Sequence, residues 1–133
     1  MNKTDRLHIE ELARAAINDW YGFSSVCSKE QVAGNGPTHE FDIFEQDKII
    51  GGVTTATYKT SNGNSNTGGR DRVVAELFWL NAWKGEEQRV IVLTCPLMSA
   101  WLYNRVDGIG FPKPVSIFHF DIQTQELVIE GIC

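Results

Sequence analysis

Apolar residues near the N-terminus fall at Ile9, Leu12, Ala13, Ala16, Ile17 and Trp20, the spacing i, i+3, i+4, i+7, i+8 and i+11. This draws one stripe along a helix of 3.6-residue period. Thr4 is placed to cap the helix, Asp5 suits its first turn, and Gly22 is a natural stop. A polar stretch, Ser24 to Thr38, then predicts a short strand around Ser25 to Cys27 and a loop. From His39 to Phe44 the pattern alternates as a strand, with Phe41 and Ile43 on one face and Glu40 and Asp42 on the other. Glu45, Gln46 and Asp47 suit a hairpin turn. Lys48 to Thr60 is rich in Ile, Val, Thr and Tyr, and Gly51-Gly52 within it suggests a bulge or a close backbone approach.

Ser61 to Gly69 lacks any apolar side chain and predicts a surface loop. A second helix is expected over Arg70 to Trp83, with Val73, Val74, Leu77 and Leu80 on one side. Gln88 to Thr94 is apolar on both faces, the pattern of a central parallel strand. Pro96 suits the first position of a third helix carrying Met98, Trp101, Leu102 and Val106, and Gly108 ends it. Val115 to Ile122 and Glu126 to Ile132 read as a closing strand pair. Helices between strands imply crossovers, hence a mixed α/β sheet.

The length, 133 residues, suits one domain with a real core. No apolar run approaches the roughly 18 residues of a membrane span, and the charged first twenty residues do not resemble a secretory signal. A cytoplasmic protein is expected. The net charge of -5 argues against holding nucleic acid by broad electrostatics, although a local basic patch or a divalent metal can offset it. Cys27, Cys95 and Cys133 are widely spaced and read as reduced thiols. Without a CxxC, and with His8, His39 and His119 scattered, a structural zinc site is not expected. Nucleotide-binding glycine motifs and a GxSxG elbow are absent. Cys95, before the third helix, reads as a packing residue, and Trp79, Trp83 and Trp101 as core or interface.

One constellation carries candidate chemistry. Asp42 lies on a short strand, and Lys59 lies near the end of the next, sharing a face with Thr57. Adjacent antiparallel strands would bring Asp42 and Lys59 to one patch. A carboxylate that holds Mg²⁺ beside a lysine that stabilises charge on phosphate suits phosphodiester hydrolysis.

Here the sequence resembles the PD-(D/E)XK phosphodiesterase superfamily, the group of restriction endonucleases and Holliday-junction resolvases. HEFDIF (39 to 44) looks like the strand with the first Asp, TYKTSNGN (57 to 64) like the (D/E)-x-K strand and its loop, RDRVVAELFWLNAW like the following helix, and RVIVLT like the next strand. The resemblance covers roughly residues 4 to 106. It implies a restriction-endonuclease-like α/β fold with an αβββαβ core, and a nuclease acting with Mg²⁺. In it Asp42 binds the metal, Lys59 is the electrostatic group, and Glu10 matches the active-site glutamate of the first helix. The sequence departs from the pattern at Thr57, which stands where the second acid belongs, and no proline closely precedes Asp42. An alternative register places Gly52-Val53-Thr54 on the motif and removes both functional residues. Some members take the second acid from the following helix, where Glu76 is the candidate metal ligand. The rival expectation is a relative that kept the fold, lost catalysis and binds another protein as an accessory or immunity-type partner. Nucleic acid, a protein partner and a homodimer all remain open as partners.

Overall fold

A computed structural model describes residues 1–133. Helix α1 (Lys3–Tyr21) is followed by β1 (Val26–Gln31), β2 (Thr38–Glu45) and β3 (Ile49–Thr54). Then come α2 (Thr67–Ala82), β4 (Gln88–Leu93), α3 (Pro96–Val106), β5 (Val115–Phe120) and β6 (Leu127–Ile132). The strands form one six-stranded sheet in chain order. Hairpins make both margins antiparallel, and the helical crossovers make β3, β4 and β5 parallel. Both crossovers step the same way across the sheet, so a common hand sends α2 and α3 to one face. The α/β class matches expectation. No helix is long and apolar enough to cross a membrane.

Strand β4 shows why its sequence is apolar throughout. Val90 and Val92 pack under α1 with Ala13, Ile17 and Phe118, whereas Ile91 and Leu93 pack under α2 and α3 with Leu77, Leu80, Met98 and Leu102. A strand covered on both faces has no solvent side to mark with polar residues.

Local chemistry moved several boundaries. Asn2, not Thr4, caps α1, accepting from the Asp5 amide at 2.8 Å. Gly22 ends the helix in the left-handed region (φ 73°) and donates to Asn18 O at 2.8 Å. Helix α2 starts at Thr67, inside the expected loop, because Asn66 accepts from the Gly69 amide at 3.0 Å. The strand expected to run to Thr60 ends at Thr54, where its neighbour β4 also ends. Phe41 and Ile43 do not share a face: Phe41 packs under α2 and Ile43 under α1. Val26 pairs with Phe44 and Ser28 with Phe41, so β2 carries one extra residue there. That bulge rotates the strand out of strict alternation.

Arg89, at the start of β4, is 3% exposed. Its guanidinium donates to four carbonyls, those of Leu80 (2.7 Å), Trp83 (2.8 Å), Gly85 (2.9 Å) and Glu87 (3.1 Å). The end of α2 leaves carbonyls without helical partners, and this one side chain satisfies them. Glu87 completes the corner, accepting from Trp83 Nε1 at 2.8 Å and from the Asp47 amide at 2.9 Å. Arg89→Met would take the guanidinium from three buried acceptors, leaving the Gly85 carbonyl to Lys113 Nζ at 3.1 Å, and is expected to cost about 3 kcal/mol or more, measured as a fall in the urea midpoint. Arg105→Met, on the exposed last turn of α3, should change stability by less than about 0.5 kcal/mol.

Candidate functional site

Strands β2 and β3 pair only where Ile43 to Glu45 meet Ile49 to Gly51. Toward its N-terminus β2 stays with β1, so β2 and β3 diverge as a fork. Asp42 is the first residue past the last pair. The splay frees the Val53 amide, and Asp42 Oδ2 accepts it at 2.8 Å. The bulge and the fork thus aim one carboxylate into the space between the strands.

Beside this contact lies a cleft of about 810 Å³, whose lining includes Val53 but not Asp42 itself. α1 contributes Arg6 and Glu10, β2 contributes His39, the end of β3 and the chain after it contribute Val53 to Thr57, and α2 contributes Arg72, Glu76 and Trp79. The α2 residues recur at i, i+4 and i+7, one helical face. Gly52 has a specific role here. A Cβ on it would collide with the Glu76 carboxylate, which occupies the place a β3 side chain would take.

The site is rich in carboxylates and poor in partners for them. Burial and the charge of Asp42 push Glu76 up to about 7. Burial also holds Asp42 above its ordinary value, against the lowering effect of the Val53 N–H. Glu10 is raised by burial and by Asp42. Neither Asp42 nor Glu76 pairs with a lysine or arginine. Arg14 donates to the Asp42 backbone carbonyl at 3.0 Å, and Arg6 Nε lies 3.9 Å from Glu10.

His39 Nε2 lies 3.3 Å and 3.5 Å from the two Glu76 oxygens. Burial lowers the His39 pKa. Burial thus disfavours the charged form of both partners in this contact, lowering His39 and raising Glu76. The imidazole stacks on Trp79 (4.7 Å, 12°) and meets Phe41 edge-on (4.8 Å, 82°), so its orientation is set by packing.

Of the residues singled out in the sequence, Glu10 and Glu76 line the cleft and each is raised by the charge of Asp42. Lys59 does not join them. It is exposed, makes an isolated bridge with Ser65 beyond the end of β3, and does not line the cleft. The expected juxtaposition of Asp42 with Lys59 is therefore not formed. Because Ile43 faces Gly51, Gly52-Val53-Thr54 is the segment beside Asp42, which is the alternative register. Thr57 lines the cleft, and its hydroxyl donates to the Lys59 carbonyl at 2.7 Å. Sequence reasoning did not single out His39 or Arg6. The signal for His39 was its position on the strand of Asp42, three residues earlier. Comparison with protein-family models, curated proteins and solved structures finds no match to this chain.

The raised Glu76 pKa makes stability depend on pH. The folded state binds this proton more tightly than the unfolded chain, whose ordinary value is 4.5. The stabilisation from protonation is therefore complete below about pH 4.5 and is lost as the pH rises through about 7. Glu76→Gln is expected to be more stable than wild type at pH 8, by on the order of 1–3 kcal/mol. Urea midpoints measured from pH 5 to pH 8 should fall for wild type and stay flatter for the variant.

Proposed function

We propose that this chain is a metal-dependent phosphodiesterase acting on nucleic acid, with a restriction-endonuclease-like core running from α1 to β4. The observation that carries the reading is a pair of half-buried carboxylates without a lysine or arginine partner, Asp42 on the Val53 amide and Glu76 over Gly52, with the charge of Asp42 felt at Glu76. Both acids are raised by burial, and the charge of Asp42 raises Glu76 further; such arrangements destabilise a fold and concentrate at functional sites. The αβββαβ order supports the same reading, as does an acid on α2 serving in place of one on β3.

The donor set fits a hard divalent cation. All the donors are carboxylate oxygens, the ligands that suit Mg²⁺. No three Asp, Glu, His or Cys side chains converge as a closed metal shell. An open site is nevertheless the usual arrangement for Mg²⁺, which keeps waters and takes one or two carboxylates together with substrate phosphates. Asp42 and Glu76 would hold the ion, with Glu10 on the opposite wall. A bound ion there would supply an acidified water and offset charge on the phosphate. The chain's own groups do the positioning. The Val53 N–H fixes the Asp42 rotamer, and His39 fixes the Glu76 carboxylate. Arg72 serves the electrostatic role first expected of Lys59, since it lines the cleft and makes no ion pair.

A second reading has one observation behind it. Gly52 and Thr54 occupy the places of the motif's acid and lysine, and no lysine lines the cleft. A non-catalytic relative that binds a protein partner would look the same at those positions.

Calorimetric titration with Mn²⁺ separates the two. The phosphodiesterase reading expects one site in wild type, lost in Asp42→Ala and in Glu76→Ala. Adding Gly52→Asp to Glu76→Ala should restore part of the binding, because a carboxylate returns to the vacated space. Metal-dependent cleavage of plasmid and single-stranded circular DNA should fall about 100-fold or more in Asp42→Ala. A wild type that takes up no Mn²⁺ would leave the protein-binding reading in its place.

A further inference from the structure

We infer that this protein forms a two-fold dimer through the outer face of α2 and α3, with a second copy of the chain seated on the groove between the two helices.

An outer helix ordinarily carries charge on the side turned away from the sheet. α1 does so, exposing Asp5, Glu11 and Asp19. α2 and α3 do not. From Val73 to Trp83 the one charged residue is Glu76, which lines the cleft, and from Cys95 to Asn104 there is none. The exposed side is apolar instead: Val74 is 48% exposed, Phe78 62% and Leu97 58%. A helix that is apolar all round is the pattern of one covered all round.

These residues border one groove. Arg70 lies 4.3 Å from the centroid of the Tyr58 ring and 5.5 Å from that of Trp101, so α2 and α3 meet there. Val74 and Phe78 follow Arg70 at i+4 and i+8, and Leu97 and Arg105 flank Trp101 at i−4 and i+4. Each set therefore runs along a wall of the same groove. The face spans about 24 Å along α2 and about 20 Å across both helices, on the order of 600 Å² per copy, against roughly 800 Å² in a standard interface. That area suits a dimer of micromolar affinity.

Charge selects a second copy as the occupant. Asp71 on α2 and Arg105 on α3 stand on either side of the groove, both exposed and neither in an ion pair. A two-fold axis midway between them exchanges the two, so each Asp71 meets an Arg105 of the other copy while the apolar walls meet each other. Elsewhere the net charge of -5 sets two copies against one another. The uncharged face is the surface on which that repulsion is least. Glu76 lies about 160° round α2 from Val74, so the cleft stays open in the dimer and its chemistry is independent of the association.

The test is sedimentation velocity of the full chain from about 1 μM to about 200 μM. Wild type should pass from monomer to dimer across that range. Val74→Glu and Leu97→Glu each put a charge on the groove wall and should weaken the dimer about tenfold or more. Both positions are exposed in the single chain, so circular dichroism melts of these variants, taken at the lowest concentration, should match wild type. Asp71→Arg and Arg105→Asp should each weaken the dimer about threefold. The double exchange should restore it, because the swapped charges pair again across the axis. A monomer at every concentration would overturn the inference and leave the face to a different protein. A dimer indifferent to Val74→Glu and Leu97→Glu would overturn it in favour of another surface. A double exchange weaker than both single variants would overturn the two-fold arrangement.

Discussion

The buried guanidinium of Arg89 is the constraint on which the site's geometry depends. A helix that ends over a sheet presents carbonyls that water cannot reach, and each unsatisfied one costs free energy. Here a cation on β4 collects the carbonyls of Leu80, Trp83, Gly85 and Glu87, so the end of α2 is tied to the start of the neighbouring strand. The pose of α2 then sets the height of Glu76 above Gly52. Arginine suits the role because its planar fork carries five donors in fixed directions, whereas lysine offers a single charged point.

The cleft exists because two strands stop pairing. The fork between β2 and β3 leaves the Val53 amide without a strand partner, and a side-chain carboxylate takes the place of a backbone carbonyl. Pairing along the whole of β2 would have used that amide and closed the space. The same interruption that weakens the sheet therefore creates a polar opening inside an otherwise apolar core. Its acids are costly there, since burial disfavours their charged form and the charge of Asp42 raises Glu76 further. A helix glutamate over a strand glycine joins two elements in one carboxylate site, so α2 is both a wall of the core and a wall of the cleft.

The aromatic residues divide along the same boundary. Trp83 belongs to the structural corner, with its indole N–H on Glu87 and its ring against Phe41 and Phe44. Trp79, one helical turn earlier, faces the cleft and braces His39. Composition treats the two tryptophans alike. Their roles separate only through the neighbours that each helix position meets.

The sequence by itself determined the α/β class, the order of helices and strands, and the central parallel place of β4, because periodicity and apolar content report burial directly. Asp42 was singled out with Lys59 from strand alternation, and Glu10 and Glu76 through the resemblance, although alternation put Phe41 and Ile43 on one face and the structure puts them on two. The sequence did not determine the partner of Asp42. Alternation carried the expected strand onward to Lys59, but a strand persists only while a neighbour pairs with it, and β3 loses its neighbours at Thr54. Pairing is a property of two distant segments, so the register of Gly52 beside Asp42, the bulge that separates Phe41 from Ile43 and the packing of His39 between Trp79 and Phe41 were decided by tertiary structure alone. The departure of Gly52 from the acidic pattern looked like a loss along the chain. In three dimensions it is the space that Glu76 fills.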